Sequence, residues 1–214
     1  MHEALKHIDV LLGGLGITLE LSLLGFAGAL VLGTVLTVMR VSPIVPLQVC
    51  GTLYVEVFRN LPLLAFLVLF VFGLPDAGIT FSLFDSEAIC LALYFAAYVC
   101  EAVRGGINAV PVGQAEAARA IGMTFTQSLG SVILPQAFRT MVQPLANVFI
   151  GVVLSSSLGA AVGVSELTGR VQLLDLMYDE PIPIFALATI GYVLFTLTVA
   201  LLAGQVQKRM AVRR

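Results

Sequence analysis

Between Leu15 and Met39 the chain carries one formal charge, Glu20. A helix rises about 1.5 Å per residue, so roughly 20 apolar residues cross the ~30 Å of membrane hydrocarbon, and a run this poor in charge has few other uses. It is too long for the core of a signal peptide and no clear small-residue cleavage site follows it, so a retained first span is expected over about 14–39. Four more apolar segments, at about 53–74, 87–103, 140–163 and 184–205, bring the expected number of spans to five. Composition agrees: 59% of the 214 residues are hydrophobic and 11% charged, with mean hydropathy +1.02, against roughly 45–50% apolar and ~25% charged in soluble domains. The reading is an all-α membrane protein forming a single transmembrane domain over 1–214.

Orientation follows from where arginine and lysine fall. With the N-terminus outside and the C-terminus in the cytoplasm, inner segments hold Arg40, Arg104, Arg119, Arg139, Lys208, Arg209, Arg213 and Arg214, and outer segments only Lys6 and Arg170. The same arrangement puts Glu3, Asp9, Asp76, Asp85, Glu87, Glu166, Asp175, Asp179 and Glu180 outside, so an acidic external face is expected. The external stretch 164–183 is long enough for a short amphipathic helix over the mouth of a pathway. Cys50, Cys90 and Cys100 sit in apolar sequence without a CxxC pair and read as buried structural thiols. His2 and His7 read as surface residues. No zinc spacing, Ser/His/Asp set, basic nucleic-acid patch or GxxxxGK[ST] phosphate loop occurs, so the chain itself is not expected to be an enzyme or to hold a cofactor.

The segment between the third and fourth spans, about 105–139, differs from the rest. Pro111 opens "VGQAEAARAI", a run of strong helix formers that ends at Gly122, and Thr124 to Gln127 has capping-box spacing for a second short helix, with Pro135 at the next expected break. Neither helix is long enough to span. Ala115, Ala117, Ala118 and Ala120 are small enough to let a partner approach the backbone, and Glu116 and Arg119 add one charge of each sign. A docking surface and an ordinary solvated loop with an exposed ion pair both fit these residues.

"EAARAIGMTFTQSLGSVILP" resembles the EAA loop of ATP-binding-cassette importer permeases, with Glu116, Ala117, Ala118, Gly122, Val132, Leu134 and Pro135 in the motif positions. "EVFRNLPLL" at 56–64, "VRGGINAVPVGQ" at 103–114, "LPQAFR" at 134–139 and "SSLGAAVGVSEL" at 156–167 are similar to the polar amino acid branch of that family, across nearly the whole chain. The resemblance implies a type I importer permease fold of the methionine-permease kind. It implies that Glu116, Ala117, Ala118, Arg119 and Gly122 couple to a cytoplasmic ATPase. It further implies two ATPase subunits that use ATP and Mg, a second permease, identical or homologous, and an extracellular or periplasmic substrate-binding protein. The setting would be lipid of the bacterial cytoplasmic membrane, and the cargo a polar amino acid, with glutamate favoured.

Polar groups at membrane depth mark the candidate pathway. In "FRNLPLL" Pro62 lacks an N–H, which frees a carbonyl near Arg59 and Asn60, beside Leu61 and Leu63. Either this forms a substrate contact, or it is a kink with Arg59 paired to Glu56. Asn147, Ser155, Ser156 and Ser157 are small polar groups in the fourth span, serving either the pathway or helix packing. The family often has Lys-Asp-Thr-Ser-Leu there; this chain reads Leu154-Ser155-Ser156-Ser157-Leu158, without either charge. Glu20 is compatible with the pathway or the outer interface. The rival readings are an ion-coupled secondary transporter or channel, for which no paired intramembrane acids or inverted repeat are seen, a non-transporting scaffold, and an ABC permease for another small solute.

Overall fold

The structure is a computed structural model that describes residues 7–210. The expectations for Lys6, Glu3, His2, Arg213 and Arg214 lie outside the described residues. Among those described, all regular structure is helical: α1 Ile8–Val41, α2 Val45–Asn60, α3 Leu63–Gly73, α4 Leu83–Asn108, α5 Val112–Ala120, α6 Phe125–Ser128, α7 Leu134–Ser155, α8 Leu167–Tyr178 and α9 Pro181–Met210. Helices α1, α4, α6 with α7, and α9 are each long and apolar enough to cross a membrane, and the pair α2 and α3 passes as a fifth when counted together.

The helices run past the apolar segments because their polar ends also satisfy helix chemistry. At 34 residues α1 is ~50 Å long, more than a bilayer core, so it tilts or projects. It ends where Pro43 forces Ser42 into extended backbone (φ −65°, ψ 143°). Helix α4 starts at Ser82, whose hydroxyl accepts from the Asp85 amide at 3.0 Å.

The core is built on α1 against α4. Along α1, Thr18, Ser22, Gly25, Ala29, Gly33 and Thr37 form a stripe of small buried residues at helical spacing. A Cβ on Gly28 would lie 2.7 Å from that of Ala92, and one on Gly33 2.6 Å from Val99, so the backbones approach as close as these residues allow. Four apolar clusters continue from this seam, and α4 contributes to three of them through Cys90, Leu91, Phe95, Ala96, Ala97, Val99 and Cys100. Cys90 and Cys100 are buried free thiols, whereas Cys50 is exposed, a departure from the expectation for all three.

Pro135 does not break the chain. A π-helical turn over Leu129–Ile133 absorbs it, so α6, the π turn, α7 and a 3-10 turn over Ser156–Val162 form one path from Phe125 to Val162. The 3-10 turn closes at Gly163 (φ 95°) and leads to α8, a short helix within the 164–183 stretch where the sequence anticipated one.

The acidic outer face needs a correction. Glu87 and Glu166 are 1% and 0% exposed and belong to the interior. Glu166 caps α8: its carboxylate accepts from the amides of Thr168 and Gly169 (both 2.8 Å), the Tyr192 hydroxyl (2.7 Å) and the Thr18 hydroxyl (3.3 Å), joining α1, α8 and α9. Glu87 has no hydrogen-bond partner for either oxygen among the described residues and lies against Gly159, where a Cβ would come 2.0 Å from Oε2. An apolar-to-polar pattern locates an acid on a helix but not the neighbour that covers it.

Candidate functional site

Two regions carry the candidate residues. The first is the break between α2 and α3. Because Pro62 disfavours helical backbone in the residue before it, Leu61 is extended (φ −93°, ψ 146°) and α2 ends at Asn60. The chain then turns by 100° into α3. The C-terminal carbonyls of α2 and the N-terminal amides of α3 therefore meet at one break without helical partners, acceptors from one side and donors from the other. Phe66 is the first amide of α3 already bonded, to the Pro62 carbonyl at 3.1 Å.

Side chains around the break are partly committed. The Asn60 Nδ2 donates to the Glu56 carbonyl at 2.7 Å and leaves its Oδ1 exposed. Arg59 does not pair with Glu56. Its guanidinium lies 3.9 Å from Glu101 and over the Tyr98 ring, 5.9 Å from the centroid. Glu101 also pairs with Arg40, and with Arg104 at 2.7 Å, so one carboxylate on α4 faces cations from α1, α2 and α4. Leu63 is buried in the cluster of Leu91, Phe95 and Val152, while Leu61 is half-buried.

The fourth-span residues divide. Ser156 is fully buried and donates to the Val153 carbonyl at 2.8 Å; Ser157 donates to Leu154 at 2.7 Å, both bonding back to their own helix. Ser155 is half-buried, and Asn147 is exposed on α7. No described hydrogen bond or ion pair joins Arg59 or Asn60 to Asn147 or the serines. Glu20 is exposed on α1.

The second region is α5 and its surroundings. Helix α5 ends in a Schellman turn: Gly122 takes φ 85°, its amide donates to the Arg119 carbonyl at 3.0 Å, and the Met123 amide to Ala118 at 3.1 Å. The capping box at α6 is complete, Thr124 and Gln127 each bonding the other's backbone amide. Ala118 is buried, whereas Glu116, Ala117, Arg119 and Gly122 are exposed, and no ion pair joins Glu116 to Arg119 among the described residues. Around them Val112 (74%), Ile121 (79%) and Phe125 (78%) stand out, an apolar patch that the alanine reading missed. The signal was available as three large apolar residues flanking a polar helix. Gln136 Nε2 of α7 reaches Gln114 Oε1 at 3.4 Å, and the Thr140 hydroxyl donates to the Gly106 carbonyl at 3.0 Å, so hydrogen bonds link α7 to α5 and to the end of α4.

Residues 29–212 match the family described as binding-protein-dependent transport system inner membrane component. The chain belongs to this family. Relatives of the permease include the probable glutamine ABC transporter permease protein GlnM of Bacillus subtilis, 36% identical over 90% of this chain and 89% of that protein. The glutamate transport system permease protein GluC of Corynebacterium efficiens is 33% identical over 95% of each. The arginine transport system permease protein ArtQ of B. subtilis is 33% identical over 89% and 88%. Among solved structures, an amino acid ABC transporter with histidines matches with TM-score 0.91 and 31% identity over 96% of each chain. The MetNI methionine transporter, at 22% identity and TM-score 0.72, shares the fold. The permease is thus an amino acid ABC importer permease and a multi-pass membrane protein.

Proposed function

We propose that this chain forms, with a second permease subunit, the membrane pathway of a glutamate importer driven by two cytoplasmic ATPase subunits that use ATP and Mg. An external substrate-binding protein would deliver the amino acid. The chain would lie in the bacterial cytoplasmic membrane with five spans, α2 and α3 counting as one, its N-terminus outside and its basic end in the cytoplasm.

The observation that carries this reading is α5, a nine-residue helix with an exposed apolar rim of Val112, Ile121 and Phe125 around Glu116 and Arg119. Such a rim, next to exposed backbone at Ala117, suits a groove on another protein. Closure of the ATPase pair would push α5. The push would pass through the Gln114–Gln136 contact into the continuous path from Phe125 to Val162, which ends beside the serines and the external loop. The chain would then rock as a stiff body between inward-open and outward-open states.

For the cargo, the α2–α3 break supplies amides for an α-carboxylate and carbonyls for an α-ammonium. Arg40, Arg59 and Arg104 surround the one carboxylate of Glu101, leaving positive charge near the break, and Leu154–Leu158 carries none. The arginine cluster favours an anionic side chain over a cationic one. The test is co-purification from native membrane in mild detergent with mass spectrometry of partners, followed by uptake of labelled glutamate, glutamine and arginine into proteoliposomes of the complex. An ATPase partner and ATP-dependent glutamate uptake are expected. A stable complex without an ATPase removes the importer reading, and uptake of arginine alone removes the glutamate assignment.

A further inference from the structure

Tyr94, Tyr98 and Glu101 stand at helical spacing on one face of α4, and every other side chain from Ala88 to Val103 is apolar. The opposite face is spent on α1, where Ala92, Ala96 and Val99 meet its glycines. Polar groups on a membrane-spanning helix turn to protein or to a watery pathway. Both tyrosines are half-buried, and their hydroxyls lie 3.2 Å apart. That is long for a hydroxyl pair, which usually sits at about 2.7–2.8 Å. One hydroxyl donates to the other. The second O–H has no acceptor among the described residues, so the pair holds an unspent donor and a weak mutual bond.

Arg59 lies over the ring of Tyr98, with its side chain 45% exposed. Its carboxylate neighbour, Glu101, is 3.9 Å away and is held more closely by Arg40 and Arg104. Of the three guanidiniums, that of Arg59 is therefore the least committed. The tyrosines back onto the cluster that joins Leu63, the first residue of α3, to Val152 of α7. They stand between the α2–α3 break and the fourth span, whose candidate residues make no described bond to each other.

We propose that Arg59, Tyr94 and Tyr98 form the subsite for the side-chain carboxylate of the cargo. This subsite presupposes a glutamate importer and names the residues that read the charge. A carboxylate there accepts from the two hydroxyls in place of their mutual bond, and from Arg59, whose long side chain turns to it from Glu101. The α-carboxylate stays with the amides of the break. Glutamine offers the same subsite one acceptor oxygen in place of two and no charge for Arg59, so the site prefers glutamate.

The test uses the assembled permease and ATPase complex in proteoliposomes, as wild type, Tyr94→Phe with Tyr98→Phe, and Tyr54→Phe. Phenylalanine keeps the ring and its packing and removes only the hydroxyl. Tyr54 lies in the same region, but its hydroxyl is bonded to the Leu93 carbonyl at 2.9 Å. Equilibrium binding of labelled glutamate and glutamine is measured without the external binding protein, which would otherwise set the apparent affinity, and ATP-driven uptake is measured with it. The double variant should bind glutamate at least about tenfold more weakly, with glutamine binding little changed. Tyr54→Phe should keep the wild-type ratio of the two. A double variant that keeps this ratio, or loses both amino acids equally, overturns the proposal. So does a wild-type complex that takes up glutamate but binds none without the binding protein. A wild type that takes up no glutamate removes the cargo assignment and the subsite with it, so the two failures are told apart.

Discussion

Gly122 has the most restricted backbone in the candidate coupling region. Its φ of 85° costs an L residue about 1–2 kcal/mol, and a β-branched one more. Gly122→Val should leave the complex in the membrane but uncouple ATP hydrolysis from uptake, seen as ATPase activity retained with uptake reduced at least tenfold; coupled uptake at the native level removes the hinge role. At Glu101, charge-assisted contacts reach Arg40 and Arg104, so Glu101→Ala strands two cations and should cost about 1–3 kcal/mol. A lower apparent unfolding temperature of the purified complex checks this. Asn60→Leu removes the exposed amide at the α2–α3 break and should weaken glutamate binding without changing ATPase co-purification. Equal losses of both would make Asn60 structural. Glu101 shows where residue-scale reading of sequence stops: it lies in the third apolar segment, but its three arginine neighbours come from three helices and no spacing relates them.

At the scale of elements, the path from α6 through the 3-10 turn matters because it joins the exposed rim near Phe125 to the opposite end of the bundle. Phe125 is 78% exposed and belongs to none of the buried apolar clusters, so Phe125→Ala should weaken ATPase association about tenfold or more, measured by titration of the purified ATPase. At the other end of the path, Gly159 packs on the carboxylate of Glu87. Gly159→Ala should reduce assembly of the complex in the membrane, and Glu87→Ala in the same chain should restore it by making room; failure of the second change to help would show that the 3-10 turn is disturbed for another reason. Capping chemistry made α5 and α6 legible, since Gly122 and the Thr124–Gln127 pair act within one or two turns. Pro135 misled because its cost depends on whether the preceding turn can widen, and here a π turn does so.

At the scale of the molecule, α4 is the post on which the bundle is built, with α1 locked to it by small residues and α2, α3 and α7 around it. Gly28→Leu would overpack the α1–α4 seam, and a loss of about 1–3 kcal/mol is expected, read as a lower apparent unfolding temperature and reduced yield of complex. Helix α9 packs along α7, where Phe195 meets Phe149, and is also held through the Tyr192–Glu166 bond and the cluster of Leu167, Val171, Leu174 and Ile184; much of its remaining surface is apolar and exposed.

The sequence by itself determined that this is a helical membrane protein, roughly where its apolar helices lie, that a short capped helix interrupts them, and to which family it belongs. Those features are set by composition, by the rise of the helix and by contacts within a few residues. Only the tertiary structure decided that Glu166 is a buried cap joining three helices, that Glu87 lies unpartnered against Gly159, that Arg59 turns to Glu101 instead of Glu56, and that α1 and α9 leave a cleft between them. Each of these depends on which helix faces which across a gap of tens of residues, and apolar periodicity records that a face is covered without recording by what.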